Sequence, residues 1–260
     1  MRDQVAVVTG ANSGLGLGTA RMLVEAGCRV VALDRSIDVA GPLVAAGDGR
    51  AFAVDVTDYA GVERLLRDVF ATLGAARILV NCAGVVTPGA LVRKGRAQDP
   101  DWFRRVVAIN LTGTFNTVRV VADCARGLEP NDDGERAVVV NTASVAAWEG
   151  LSGQAAYAAS KGGVAALSLP LAREFARYGI RVVAIAPGVF GTAMIEAIPV
   201  ETRDTLIADV PFPHRPGRPD EFASLVREIV GNPMLNGSTI RLDAALRMQE
   251  PRPMAARSTG

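Results

Sequence analysis

Histidine is almost missing from this chain and cysteine is scarce: 260 residues carry one histidine and three cysteines. Cys28, Cys82 and Cys124 are odd in number and lack C-x-x-C spacing, which argues against a disulfide framework or a zinc site; no metal is expected. A reducing cytoplasmic compartment is the natural expectation. The lone His214 lies in a proline-rich stretch and no G-x-S-x-G elbow is present, so a Ser-His-Asp hydrolase is not supported. An excess of one charge sign is also missing. With 28 basic and 27 acidic residues, net charge +1, there is no electrostatic case for nucleic acid or an anionic membrane. No apolar run approaches the ~20 residues of a membrane span. The first strand is expected to begin at Gln4 or Val5, and no secretory signal is expected. There is no internal repeat and no long linker. The expectation is one domain over residues 1–248 and a frayed tail, QEPRPMAARSTG, over 249–260.

What the chain does have is a repeated strand-then-helix alternation, with 49% apolar residues to build a core. Residues 4–9 (QVAVVT) read as a strand, followed by GANSGLG at 10–16 and helical apolar spacing over 17–26. Gly10, Gly14 and Gly16 at this junction let backbone N–H groups approach a pyrophosphate, and a helix start favours its negative charge. Residues 29–33 (RVVAL) form a second strand ending in Asp34. A carboxylate there accepts both ribose hydroxyls of an adenosine and repels a 2′-phosphate, so NAD is expected rather than NADP. Arg35 follows directly and could in principle hold that phosphate.

Residues 50–54 (RAFAV) read as a third strand ending in Asp55-Val56, placed to face an adenine. The spacing of Val62, Leu65, Leu66, Val69, Phe70 and Leu73 predicts an amphipathic helix over 58–73, capped by Thr57 or Asp58. A fourth strand at 77–80 runs into Asn81-Cys82-Ala83-Gly84. Cys82, Ala83 and Gly84 could line a ribose; Cys82 reads equally as a small buried residue.

Residues 86–100 (VTPGALVRKGRAQDP) are too rich in glycine, proline and charge for a regular element. The basic run Arg93-Lys94-Gly95-Arg96 fits either a phosphorylated substrate, such as a coenzyme A thioester, or solvated surface. Residues 101–126 read as one long helix with Asn110 inside, a poor interior residue that kinks the helix or bonds something. A fifth strand at 136–141 delivers Ser144 to the carboxyl edge of a sheet, and a sixth at 180–186 ends in Pro187-Gly188-Val189-Phe190-Gly191-Thr192. Thr192 reads both as a partner for a nicotinamide carboxamide and as a helix N-cap. Residues 193–216, apolar and proline-rich, suit a mobile flap over an apolar substrate. A helix at 219–231 and a strand at 238–242 complete the pattern.

One stretch gives the pattern its chemistry: NTASVAAWEGLSGQAAYAASK, residues 141–161. If the chain is helical from Gly153 onward, Tyr157 and Lys161 share one face. An ammonium beside a phenol favours the phenolate, so Lys161 is expected to lower the Tyr157 pKa, as a general acid/base requires. The Ser144 hydroxyl could hold a substrate oxygen against that phenol.

Taken together, T-G-x-x-x-G-x-G at Thr9 to Gly16, N-x-A-G at Asn81 to Gly84, and Asn110, Ser144, Tyr157, Lys161 and Pro187-Gly188 resemble the classical short-chain dehydrogenase/reductases from end to end. Cys82 is a departure, where many members have Asn or Ala. The segments NTASVAAWEGLSGQAAYAASKGG, IAPGVFGT, VPFP and NGSTIRLDAALRMQ are similar to the type 2 3-hydroxyacyl-CoA dehydrogenase branch, also called 17β-hydroxysteroid dehydrogenase type 10. The resemblance implies an α/β fold, a single Rossmann-type, doubly wound parallel seven-stranded sheet with helices on both faces. It implies NAD contacts at Ser13, Leu15, Asp34, Asp55, Val56, Cys82, Tyr157, Lys161 and Phe190, with Gly10, Gly14, Gly16, Ala83, Gly84, Pro187 and Thr192 completing the cofactor site. Ser144 would hold the substrate oxygen, Tyr157 would transfer the proton, and Asn110 would hold a water that passes it outward. A homotetramer in fatty acid metabolism, acting on short or branched 3-hydroxyacyl-CoA thioesters, is the expectation. Steroid or small-molecule alcohols are the alternative substrates, and a cofactor-bound scaffold the alternative role.

Overall fold

The computed structural model describes residues 1–37, 50–93, 95–196, 198 and 200–249, the side chains at 93, 201 and 202 excepted. Lys94, the Arg93 side chain and residues 250–260 of the expected tail therefore lie outside the described residues.

The β-branched run at the start forms β1 (Val5–Thr9), and the glycine loop turns it into α1 (Gly14–Glu25), three residues earlier than the apolar spacing suggests. β2 (Arg29–Asp34) and β3 (Arg50–Ala53) follow. α2 (Tyr59–Leu73) starts where expected because the Asp58 side chain accepts from the Gly61 amide at 3.0 Å. β4 (Ile78–Asn81) closes the first half.

The stretch read as irregular contains a small antiparallel hairpin, β5 (Val92–Arg93) with β6 (Arg96–Ala97). Gly95, at φ +72, makes the tight return between such short strands. The long helix read over 101–126 is instead α3 (Pro100–Val107), a π-helical segment (Ala108–Thr112) and α4 (Gly113–Ala125). Asn110 sits in the π segment, the kind of insertion that often marks a functional position.

β7 (Ala137–Thr142), α5 (Ala155–Phe175) and β8 (Ile180–Pro187) come next. The flap region carries two short helices, α6 (Ala193–Glu196) and α7 (Val200–Ala208), which the prolines had hidden. α8 (Pro219–Gly231), with proline in its first turn, and β9 (Thr239–Leu242) end the regular structure.

The large sheet has seven strands in the order β3-β2-β1-β4-β7-β8-β9, all in parallel register. Strand residues alternate between two cores. Val5, Val7, Leu79, Val139 and Val182 face α2, α4 and α5; Ala6, Val8, Val80, Val140 and Val183 face α1 and α8. Strand order reverses between β1 and β4, and a crevice opens there above the carboxyl ends of the strands. Among the described residues no helix is long and apolar enough to cross a membrane.

Candidate active site

The crevice is a cleft of about 410 Å³ lined from both sides of the switch point. Its near wall is the glycine loop. Gly10 takes φ +65, and a Cβ there would stand 2.7 Å from the Ala83 amide nitrogen, so only glycine lets β1 and β4 end side by side. A Cβ on Gly16 would collide with the Gly10 carbonyl oxygen. Ser13 occupies the N-cap of α1 without bonding the helix, and no acidic residue lies in the first turn. The helix start thus presents free N–H groups and a hydroxyl, a favourable place for a phosphate.

Asp34 ends β2 with its carboxylate held by two backbone amides, Asn12 at 3.0 Å and Arg35 at 2.7 Å. Asp55, which accepts from the Thr57 amide and hydroxyl at 2.8 and 2.7 Å, has its pKa lowered by those bonds. Val56 stands beside it and closes on Gly113 of α4.

β4 is anchored from beneath by Thr9, whose hydroxyl accepts from the Cys82 and Ala83 amides at 3.2 and 3.1 Å. The same hydroxyl donates to Asn81 Oδ1 at 3.3 Å; Asn81 Nδ2 donates to Asn141 Oδ1 at 3.0 Å, and Thr117 donates to Asn81 Oδ1 at 2.7 Å. This buried ladder sets the floor of the cleft. Cys82 lies in that floor with its thiol pushed up to about 11 by burial, so it is a small wall residue with no thiolate character.

Ser144, Tyr157 and Lys161 meet at the other side. Lys161 is 5% exposed and donates from Nζ to the Thr142 carbonyl at 2.7 Å. Its Nζ stands 5.9 Å from the centre of the Tyr157 ring, on the same helix face, as the spacing requires. The phenol does not titrate in the expected direction. Burial pushes Tyr157 above its ordinary value, and the opposing influence is a hydrogen bond from Ser144 rather than the ammonium. The ammonium is itself disfavoured: burial brings Lys161 down to about 8, and its proton is directed at a carbonyl. Ser144 Oγ accepts from the Ala146 amide at 3.2 Å, which leaves its own proton for the phenol.

Asn110, fully buried, stands behind the wall and not on it. Its Oδ1 accepts from the Val85 amide at 2.8 Å, and its Nδ2 donates to the Val85 carbonyl and Ser160 Oγ at 2.9 and 3.0 Å. Gly84 packs between Asn110 and Lys161, where a Cβ would stand 3.2 Å from Asn110 Oδ1 and 3.5 Å from Lys161 Nζ.

The far wall is Pro187, Phe190 and Thr192. Phe190 packs edge-on against Phe222 at 6.4 Å, and Gly217 leaves room for its ring. The Thr192 carbonyl takes the Ile195 and Glu196 amides, so it begins α6, while its methyl reaches over Gly14. The residues assigned to the catalytic and cofactor sites from the sequence therefore line one cleft except Asn110, whereas Arg96 of the basic run is exposed and is not part of its lining. Several lining residues were not singled out: Arg105 and Ile109, one helical turn apart, Thr142 beneath Lys161, and Met194 and Ile195 of the roof. A spacing of four between Arg105 and Ile109 was a legible signal; the π segment between α3 and α4 obscured its phase.

Comparison with known proteins agrees with this geometry. Residues 4–202 match the family model described as short chain dehydrogenase. The chain is 46% identical to human 3-hydroxyacyl-CoA dehydrogenase type-2 over 96% of its length and 97% of that protein. It is 32% identical to ipsdienol dehydrogenase of Ips pini, covering 95% of this chain and 98% of that one. Among solved structures, 3-hydroxyacyl-CoA dehydrogenase type-2 from Mycobacterium avium superposes with a TM-score of 0.88 at 34% identity, covering 95% and 98% of the two chains. With the sheet order, the glycine loop and the Ser144–Tyr157–Lys161 grouping, these matches place the chain in the short chain dehydrogenase family of oxidoreductases.

Proposed function

We propose that this enzyme interconverts a secondary alcohol and a ketone with NAD, acting on a short-chain or branched 3-hydroxyacyl-CoA and its 3-ketoacyl-CoA. The observation that carries the reading is the convergence of Ser144, Tyr157 and Lys161 in one cleft with a glycine cradle and an Asp34 carboxylate fixed by two backbone amides. NAD, when bound, supplies the hydride acceptor or donor. Asp34 accepts from the adenosine ribose hydroxyls, and the free N–H groups around Ser13, Gly14 and Leu15 bind the pyrophosphate. Asp55 and Val56 flank the adenine. Cys82, Ala83 and Gly84 border the ribose; Pro187, Phe190 and Thr192 border the nicotinamide.

Tyr157 Oη takes the substrate hydroxyl proton in oxidation and returns it in reduction. Ser144 Oγ holds the same oxygen. Lys161 holds the nicotinamide ribose and favours the phenolate once its ammonium has an oxygen partner in the cleft. Asn110 fixes the wall at Val85 and, following the family resemblance, keeps a water for the outgoing proton. The thioester assignment is supported by the names of the relatives similar over nearly the whole chain and by Arg105, an exposed guanidinium at the cleft wall. A homotetramer is supported by Phe115 and Leu169, which leave apolar surface on α4 and α5. A cytoplasmic site fits three free cysteines.

A second substrate class, small-molecule or steroid alcohols, is favoured by the apolar roof residues Met194 and Ile195 and by the similarity to an ipsdienol dehydrogenase. The test is a panel of acetoacetyl-CoA, a steroid ketone and a terpenoid ketone, each with NADH and NADPH. The proposal expects fastest turnover of the thioester with NADH. Faster turnover with NADPH would sink the Asp34 assignment, and no reduction of any ketone would favour a non-catalytic scaffold.

A further inference from the structure

Outside the cleft, a dense group of charges ties three of its walls together. Glu149 follows the short turn Val145–Ala147 that begins at Ser144, and its amide donates to the Val145 carbonyl at 3.1 Å. Its carboxylate, only 17% exposed, takes Arg241 Nη1 at 2.8 Å on one oxygen and the Met248 amide at 3.1 Å on the other. Arg241 turns its remaining nitrogens on Asp243 Oδ2, at 2.6 and 2.7 Å, and on the Leu246 carbonyl at 3.0 Å. Arg247, more exposed, adds a second bridge to Asp243 at 3.1 Å and a longer one to Glu149 at 3.6 Å.

Each end of this cluster reaches the cleft. Asp243 packs behind Gly188, where a Cβ would stand 2.9 Å from the Asp243 Cβ. Leu246, completely buried, joins Val189 and Val210 in a small core against which Ile195 packs. Other ion pairs in the molecule, such as Arg104–Asp101 and Arg126–Asp123, join neighbours on one helix in the open. Pairs of that kind add little to stability. The Glu149–Arg241–Asp243 group shares its shielding and its reach along the chain with Arg181–Glu135, but it is the one that runs from the Ser144 turn to Gly188 and the Ile195 core.

We propose that Glu149 is a positioning residue: through Arg241 it holds the turn carrying Ser144 against the turn that follows β9, and so fixes the Ser144 hydroxyl relative to Tyr157 and to the Ile195 side of the cleft. The inference rests on the oxidoreductase reading above for its kinetic consequence, but not for its structural one.

Glu149→Gln keeps the shape and an acceptor for the Met248 amide while removing the charge that holds Arg241. Far below the melting temperature it is expected to lower kcat about tenfold, since small misplacements of a catalytic hydroxyl cost rate, with NADH affinity within about twofold. Amide exchange should quicken across residues 144–149 and 243–248. Arg241→Gln should do the same, and the double variant should be no worse than either, as for a coupled pair. Arg241→Lys, which keeps the charge, should retain most of kcat. Loss of melting temperature alone, with kcat and local exchange unchanged, would overturn the proposal. If the unaltered chain reduced no ketone, the functional reading would fall by itself. Exchange would then decide: faster exchange at 144–149 in Glu149→Gln supports the strut, and unchanged exchange removes it.

Discussion

The floor and the roof of the cleft are built by different physics. The floor is the row of strand ends, where Thr9, Asn81 and Asn141 sit opposite one another in register and bond sideways beneath the surface. Its geometry follows from parallel pairing, which brings every strand to the same edge. The roof is α6, with α7 packed behind it. Its support is the small core of Val189, Val210 and Leu246, and it leaves Met194 and Val200 exposed. A floor fixed by backbone register and a roof fixed by a few side chains can change independently. In the function proposed above, coenzyme and proton chemistry fall to the first and substrate choice to the second.

The largest expected effect removes the proposed acid/base, Tyr157 of α5, which stands over the floor. Tyr157→Phe should lower kcat by about a thousandfold, within the usual range for general acid–base catalysis, while leaving the NADH Kd nearly unchanged. Normal turnover in that variant would break the comparison outright. The next effect comes from Lys161, whose cation the floor buries. Its pKa is depressed to about 8 in the fold, so the folded state sheds a proton that the unfolded chain keeps until about 10.5. The cost of burying the charge is full below pH ~8, and stability should rise with pH from there to ~10.5. Lys161→Met should flatten that rise and be more stable at neutral pH by up to about 3 kcal/mol, less the loss of the Thr142 bond, although inactive. Denaturant midpoints across the pH range measure both slopes.

Gly16→Ala attacks the floor through its backbone. The added methyl meets the Gly10 carbonyl, which cannot move without shifting β1, so a loss of about 2 kcal/mol in stability is expected. NADH affinity should fall about tenfold with it, since the loop amides move together. Calorimetric titration with NADH, beside a thermal melt, checks the pair of losses.

The floor was largely readable from the sequence. β-branched runs, glycines and the Asp34 position report local physics, and the α2 cap at Asp58 and both ends of α8 fell where residue preferences put them. The roof was not. Prolines around α6 and α7 mask helices held by tertiary contacts; away from the cleft lining, the two-residue strands β5 and β6 likewise carry too little periodicity to show. Asn110 was visible as an anomaly, but the π segment that accommodates it depends on Val85 and Ser160, far away in sequence. The direction of the Tyr157 pKa failed for a related reason. Spacing predicted the ammonium's nearness; it could not show that burial would dominate or that Lys161 would turn to the Thr142 carbonyl.

The roof predictions are smaller and sharpen the separation. Ile195→Ala removes apolar lining next to the reacting end of the cleft. KM for an acyl thioester should rise about tenfold, the usual scale for lost apolar contact, with no change in NADH Kd. If NADH Kd moved as much as KM, floor and roof would be one unit.

The smallest effect lies in the turn that supports the roof. Ala244 and Ala245 take φ of +51 and +63, a left-handed pair of residues with side chains. The turn is held there by Asp243, whose carboxylate accepts from the Ala245 amide at 3.2 Å, and by Leu246 buried beyond it. An L-residue in this region costs roughly 1–2 kcal/mol, and glycine costs part of that back in the freedom of the unfolded chain. Ala244→Gly should therefore stabilise the enzyme by about 0.5 kcal/mol, a shift of a degree or two in the melting temperature. KM and kcat should stay as they are, because the substitution relieves backbone strain without touching a side chain that reaches the cleft. A fall in kcat would mean that the strained turn, and not only the charges around it, sets the height of the roof.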